Sequence, residues 1–157
     1  MASRSIFFDD LRVGEVRELG SFTLTKDEIM EFANRWDPHL WHVDEEAADA
    51  SFFGGIVASG VHTFAAFTNL LTSNFLLDVA VTAGKDINLQ LRAPVRPDEE
   101  IHARVTVAAL EDVAHRDDQG LVHLAGECYR DDDTVVLAVR IQVLVARRPV
   151  EADECAT

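Results

Sequence analysis

The hydrophobic period of this chain changes once, near its middle, and that change restricts the fold more than any other feature. Before it, a segment opened by Ser59 and Gly60 spaces its apolar side chains three and four residues apart, as one face of a buried helix does. After it, apolar and polar residues alternate, as they do in half-buried strands. Strands and helices do not alternate along the chain, so a parallel sheet is not expected. We therefore predict an α+β fold, with helices gathered on one face of a curved antiparallel sheet.

The predicted elements follow from capping residues, breakers and these periods. In the first third a short strand precedes a helix that Thr25 and Glu28 begin as a capping box and Asp37-Pro38 ends, because the residue before proline leaves the helical region. A second short helix is predicted from Asp44. The first helix buries Ile29, Phe32 and Ala33, and the later, longer helix buries Phe64, Phe67, Leu70, Leu71 and Phe75. The strand-like runs are 87–91, 101–107, 121–129 and 135–145, with turns at 94–98 and 131–133.

Length, charge and cysteine content set further limits. The 157 residues allow one domain with a real core, which we place at 1–148, before an acidic tail at 149–157 that we expect to be disordered. The 28 acidic and 14 basic side chains give a formal net charge of −14, which disfavours nucleic acid and anionic membranes as partners. No apolar run is long enough for a signal peptide or a membrane span. Cys128 and Cys155 are not expected to pair, which favours a reducing, cytoplasmic location.

The loop after the first helix carries the residue types that acid–base chemistry needs. Asp37 and His42 bracket it, and together they can share one water, since imidazole titrates near neutrality and a carboxylate accepts a proton. Gly60 begins the long helix, where unpaired backbone N–H groups and the positive end of the helix dipole suit an oxyanion or a polarised carbonyl. The spacing therefore offers a base, a proton partner and an oxyanion donor.

The same residues also have structural interpretations. Asp37 could simply end one helix, Asp44 could cap the next, and Trp41 could pack in the core or in an interface. His39 and His42, with the two aspartates, are suitable metal donors, but no distal His or Cys cluster completes a site, so no metal is expected. The chain has no P-loop and no G-x-G-x-x-G motif, and no cofactor is predicted.

Three stretches of the chain occur in a fixed order. The first is Asp37 followed by His42 and Asp44, the second is Phe53-Gly-Gly-Ile-Val-Ala-Ser-Gly60, and the third is Leu91-Arg-Ala-Pro-Val-Arg-Pro-Asp98. Together they resemble the motifs of MaoC-like dehydratases, the (R)-specific enoyl-CoA hydratase family, over about Phe8 to Val145. The resemblance implies a single hot-dog domain, in which a curved antiparallel sheet wraps a long central helix.

The resemblance also implies an activity. The protein would hydrate an enoyl-CoA thioester reversibly, with Asp37 as base, His42 handling the proton with it, and the Gly60 amide polarising the thioester carbonyl. The acyl-CoA substrate is the expected ligand. A homodimer or a dimer of dimers is expected, because a single layer leaves a sheet edge and apolar helix surface exposed.

Four residues are expected to bind the substrate, and of these the resemblance itself places only Thr68. They are Ser59, Trp41, Thr68 and Arg92. Ser59 stands where the family commonly has histidine, and Thr68 would present a hydroxyl near the catalytic pair. Trp36 and Trp41, which flank the pair in sequence, imply a pocket for a short, branched or aromatic acyl group. Arg92 would contribute, with Arg96 and Arg104, to a basic patch for the carrier of the acyl group.

Two other functions would use the same fold. A hot-dog acyl-CoA thioesterase would activate water against the thioester carbonyl with an acidic residue, and a non-catalytic acyl-CoA-binding subunit would retain the fold alone. The five-residue spacing from Asp37 to His42 favours the hydratase, since thioesterases of this fold usually manage without that pair. Loss of the enoyl chromophore without release of free thiol would distinguish hydration from hydrolysis.

Overall fold

Five antiparallel strands form one sheet around a central helix in the computed structural model of the protein, which describes residues 6–150. The strands are β1 (Val16–Thr23), β2 (Val81–Leu91), β3 (Glu100–Val113), β4 (Arg116–Tyr129) and β5 (Val135–Ala146), in the sheet order β1-β3-β4-β5-β2. The helices are α1 (Lys26–Trp36), α2 (Leu40–Val43), α3 (Glu45–Ala50) and α4 (Gly60–Leu71), with a 3-10 turn at Phe8–Asp10 and a π turn at Thr72–Leu76. This is the predicted α+β hot-dog arrangement.

Helix α4 is the centre of the core, as its apolar face predicts. Phe67, Leu71 and Phe75 are buried with exposures of 0%, 1% and 2%. The Phe67 ring lies against the backbone of Gly126 in β4, where any side chain would overlap it. A glycine in the middle of this strand therefore lets the helix approach the sheet closely. Replacing such a buried ring by alanine typically costs about 3–5 kcal/mol of unfolding free energy.

The helices of the first third begin and end where the sequence predicts. The Thr25 side chain accepts a hydrogen bond from the Glu28 amide, and the Glu28 carboxylate accepts one from the Thr25 amide. Asp37 ends α1, and the Asp44 carboxylate caps α3 by accepting from the Ala47 amide at 2.8 Å. Phe32 is only half-buried, unlike its two predicted partners. The one-turn helix α2 was not predicted, because four residues are too few to show a helical period.

Strand β2 differs from its prediction. It begins at Val81, six residues before the predicted start at Ile87. The alternating side chains expected to be half-buried are exposed in the single chain: Ile87 by 56%, Leu89 by 39% and Leu91 by 65%. The reason is that β2 lies at the edge of the sheet and pairs with β5 alone among the described strands, so no other element of residues 6–150 covers this apolar face.

Cys128 is a core residue of β4, as predicted. Its side chain is fully buried, and burial raises the pKa of its thiol to about 12, so the thiolate nucleophile is not formed near neutral pH. Cys155 and most of the predicted tail, 151–157, lie outside the described residues, as do residues 1–5. Within the described part of the chain, no helix has the length and apolar character needed to cross a membrane.

Candidate active site

The end of helix α1 places Asp37 at the mouth of a cleft. Its amide closes the last turn by donating to the Ala33 carbonyl, and Pro38 prevents the helix from continuing. The carboxylate is then free to point away from the helix. Its Oδ2 atom accepts a hydrogen bond of 2.7 Å from the Ser59 hydroxyl, which is fully buried at the start of α4. The carboxylate is therefore fixed by a residue 22 positions away.

His42 is held by the backbone of the segment that leads into α4. Its ring is buried, with 6% exposure, and Nδ1 lies 2.6 Å from the Val57 carbonyl oxygen. A carbonyl can only accept, so Nδ1 donates in this bond, and Nε2 accepts from the Trp41 indole N–H. Helix α2 and the 57–59 segment thus fix both the position and the tautomer of this imidazole.

The Asp37 carboxylate and the His42 imidazole meet at the cleft. Nε2 of His42 lies 3.6 Å from Oδ2 of Asp37, too long for a direct hydrogen bond. Both atoms are acceptors, so the two O–H groups of one water could be donated to them. The indole N–H of Trp41 also approaches Nε2, at 3.1 Å. The pair therefore has the geometry for binding and deprotonating a water.

The start of α4 supplies a backbone donor beside this pair. Ser59 caps the helix by accepting from the Val61 amide at 3.2 Å, whereas the Gly60 amide has no acceptor among residues 6–150. A Cβ atom at position 60 would overlap the Leu91 side chain, so only glycine fits here without a shift of that leucine. An unpaired N–H at a helix N-terminus suits a carbonyl oxygen that gains negative charge.

These groups line one cleft of about 460 Å³. Its polar wall carries Asp37, His42, Gly60 and Thr63, and its apolar wall carries Trp41, Phe52, Phe53, Leu91, Ala93, Pro94 and Val136. Arg92 lines the cleft as well and is exposed. A pocket with one polar side and one apolar side suits a small reactive group attached to a hydrocarbon chain.

The structure brings together most of the predicted site residues. Asp37, His42, Gly60, Trp41 and Arg92 line the cleft, and Ser59 lies behind Asp37.

Thr68 is not brought to the cleft, although the sequence analysis placed a hydroxyl there. Its side chain is exposed, and its hydroxyl donates to the Phe64 carbonyl one turn back in the same helix. Thr63 occupies the cleft instead, buried on the first turn of α4, with its Oγ1 atom 3.4 Å from the Ser59 carbonyl oxygen. The three-residue spacing from Gly60 was the available signal for it, because residues three apart share one side of a helix.

The remaining polar residues considered for the site contact partners other than the Asp37–His42 pair. Asp44 caps α3, and His39 stacks on Trp41. The predicted basic patch is divided: Arg104 forms an ion pair of 2.8 Å with Glu127, and the Arg96 guanidinium donates to the Phe53 carbonyl at 2.7 Å. Only Arg92 of the three lines the cleft.

A third histidine lies close to the site in sequence but does not line the cleft. His62, on the first turn of α4, stacks on Phe32 with ring centroids 4.3 Å apart. Burial lowers the pKa of its imidazole below the ordinary value, and the nearby Glu28 carboxylate opposes this shift. His62 is therefore a neutral packing residue near pH 7.

Sequence and structural comparisons with known proteins both point to the MaoC-like family. A family model for the MaoC-like domain matches residues 11–124. The chain is 32% identical over 140 residues to the uncharacterised protein YdeM of Bacillus subtilis, covering 88% of this chain and 98% of that protein. The crystal structure of a MaoC-like dehydratase from Rhodospirillum rubrum aligns with a TM-score of 0.85 at 32% identity, over 93% of this chain and 100% of that chain. An (R)-hydratase of A. caviae shares the fold, with a TM-score of 0.69 at 23% identity over 88% and 98% of the two chains.

Proposed function

The chain belongs to the MaoC-like dehydratase family, and we propose that it is an enoyl-CoA hydratase. It adds water reversibly across the 2,3 double bond of an enoyl thioester. The observation that carries this proposal is the pairing of the Asp37 carboxylate and the His42 imidazole, whose Oδ2 and Nε2 atoms lie 3.6 Å apart at the wall of one cleft. A water between them is polarised from two sides, as addition to a double bond requires.

The proposed reaction uses each wall of the cleft in turn. The acyl group lies along the apolar wall, and the thioester carbonyl accepts a hydrogen bond from the Gly60 amide. The water oxygen attacks the β-carbon while one of its protons passes to the Asp37–His42 pair, and the pair returns that proton to the α-carbon. The Gly60 amide stabilises the negative charge that develops on the carbonyl oxygen, in a place prepared by the helix dipole. One water is consumed and no other group is altered.

The carrier is proposed to be CoA, entering beside Arg92. This guanidinium lines the cleft and is exposed, and its hydrogen bond is to a neutral partner, the Gln90 side chain, at 2.8 Å. An exposed cation at the cleft in a chain of net charge −14 favours a phosphate-bearing ligand locally.

We also propose that two chains pair through the edge of the sheet at β2. Support comes from Ile87, Leu89 and Leu91, which form an exposed apolar row on the strand at the edge of the described sheet. Leu91 belongs to this row and also lines the cleft, so the second copy would lie close to the site.

The test of the activity is hydration of crotonyl-CoA, followed at the enoyl absorbance, with free thiol measured in parallel. Asp37→Asn removes the base without changing the size of the side chain, so kcat should fall about 10²- to 10⁴-fold, the usual contribution of a general base. Asp44→Asn is the matched control, because this neighbouring carboxylate caps α3 and asparagine caps equally well. Equal activity of Asp37→Asn and wild type would refute the mechanism. Thiol release in place of hydration would indicate the thioesterase.

A further inference from the structure

One hydrogen bond in the site conflicts with the proposed reaction. Nδ1 of His42 donates to the Val57 carbonyl at 2.6 Å, so Nε2 is the ring nitrogen that can accept a hydrogen bond. The indole N–H of Trp41 donates to this same Nε2 atom at 3.1 Å. A water that is to be deprotonated by the pair must donate to Nε2 as well. A single lone pair in the plane of the ring serves one strong donor at a time, so the indole and the water compete for it.

The indole is only half-buried, so its side chain has room to rotate. It packs against the hydrophobic core, stacks on His39 with ring centroids 3.2 Å apart, and meets the edge of Phe53 at 5.6 Å. His39 is exposed and Phe53 is half-buried. The Trp41 backbone is fixed, since its carbonyl accepts from the Val57 amide at 3.3 Å. Rotation of the side chain alone would free His42 and leave α2 in place.

The indole also lies in the path of the acyl group. Trp41 lines the cleft together with Phe53 and Leu91, the side chains along which a hydrocarbon chain would pack. A chain that extends along this wall occupies space next to the indole ring. A chain of only four carbons fills less of the wall and leaves more room for the indole to stay on His42.

We propose that Trp41 is a positioning residue whose indole N–H occupies Nε2 of His42 as long as no acyl group is bound. The acyl group of the substrate then displaces the indole. The inference rests on the proposed hydratase activity. In the free protein the indole N–H holds the Nε2 lone pair, so a water in the cleft is not activated. When a longer acyl group displaces the indole, Nε2 is freed to accept from the water. Trp41 thereby favours longer or bulkier acyl groups over short ones.

The kinetic test uses Trp41→Phe, which keeps a ring against His39 and Phe53 and removes the N–H. For crotonyl-CoA, kcat/KM should rise about three- to tenfold, the equivalent of one neutral hydrogen bond that no longer has to be broken. For trans-2-octenoyl-CoA the rise should be smaller, so the ratio between the two substrates should shift towards the short chain. A fall of kcat/KM for both substrates, or an unchanged ratio, would overturn the proposal. Asp37→Asn combined with Trp41→Phe should be inactive if the gain arises at this site.

The spectroscopic test does not depend on turnover or on the folding of the Trp41 variant. The chain has two tryptophans, and Trp36 is 63% exposed, stacks on Arg35 and does not line the cleft. In Trp36→Phe, the remaining indole ¹H–¹⁵N signal belongs to Trp41. Octanoyl-CoA has no double bond to hydrate, and its binding should move this signal upfield as the bond to His42 breaks.

Calorimetry establishes that octanoyl-CoA saturates the site during this measurement. An indole signal that stays unchanged at saturation would overturn the proposal, and so would an absence of octanoyl-CoA binding. Because the saturated thioester cannot react, this result is independent of the Asp37→Asn assay. Failure of the displacement can therefore be distinguished from failure of the hydratase assignment.

Discussion

The two walls of the cleft are built in opposite ways. On the polar wall, Asp37 and His42 are each fixed by a hydrogen bond to a residue of the segment leading into α4, at 2.7 Å and 2.6 Å. On the apolar wall, Leu91 and Phe52 are exposed by 65% and 99% in the single chain. The groups proposed to react are therefore held together within one chain, whereas the surface proposed for the acyl group is open. Under the proposed mechanism, different parts of this fold therefore specify the chemistry and the choice of substrate.

The difference follows from what each wall is made of. The polar wall uses a helix start and buried backbone carbonyls, which hold a side chain at a defined distance and angle. The apolar wall uses an edge strand and a loop with Gly54 and Gly55, both with positive φ angles of 64° and 158°. An exposed loop tolerates changes in shape and length more readily than a buried helix does, whereas the two glycine positions themselves would strain any other residue. Variation in acyl preference should therefore arise in the apolar wall.

The largest effect of the three tests below is expected on the polar wall. Ser59→Ala removes the hydroxyl that orients Asp37, and we expect kcat to fall about 10- to 100-fold with little change in KM, since a hydrogen bond to a charged group is worth about 1.5–3 kcal/mol. The matched control is Thr68→Val, which removes a hydroxyl from the same helix outside the cleft and should leave kcat unchanged. Steady-state hydration of crotonyl-CoA measures both. A rise in KM with kcat unchanged would mean that Ser59 contacts the substrate and does not orient the carboxylate.

An intermediate effect is expected where the two walls touch. Gly60→Ala places a methyl group against Leu91, and the shift needed to accommodate it should raise KM about tenfold, within the 1–3 kcal/mol typical of overpacking. Leu91→Ala in the same chain makes room for that methyl group and should restore most of the affinity. If the double variant is no better than Gly60→Ala alone, the two walls are not coupled through this contact.

Substitutions at the exposed edge of the sheet are expected to have the smallest effect on the hydration reaction. Leu89→Lys places a charge in the apolar row of β2 and should convert the proposed dimer into a monomer in sedimentation or light scattering. Asn88→Lys introduces the same charge on the opposite face of the same strand and should leave the mass unchanged. A wild-type chain that is monomeric at micromolar concentration would refute the dimer directly.

The sheet and the central helix could be predicted because periodicity records burial. Phe67 and Leu71 repeat at helical spacing, and the buried residues of β3 to β5 alternate, so their environment is visible in the sequence. The same reasoning fails at β2, where Leu89 alternates correctly but lies at an edge. Whether a second chain covers that face is information that periodicity does not carry.

The candidate site could be predicted in part. Asp37 and His42 stand out because their spacing resembles a family motif. The bond from Ser59 to Asp37 joins positions 22 apart, and no local pattern signals it. The contact between Trp41 and His42 joins adjacent residues, which do not normally face each other on a helix. These contacts depend on how α2 sits against α4, which is a matter of tertiary packing.

The Ser59 hydroxyl has two bonds at once, and this links the site to the local stability of the fold. It donates to Asp37 and accepts from the Val61 amide, which belongs to the first turn of the buried helix. Local unfolding of that turn would break both bonds together. Val61 is 55% exposed, and the end of a helix opens at a lower free energy than its buried centre. The orientation of the carboxylate is therefore protected for as long as hydrogen exchange at the helix start is slow.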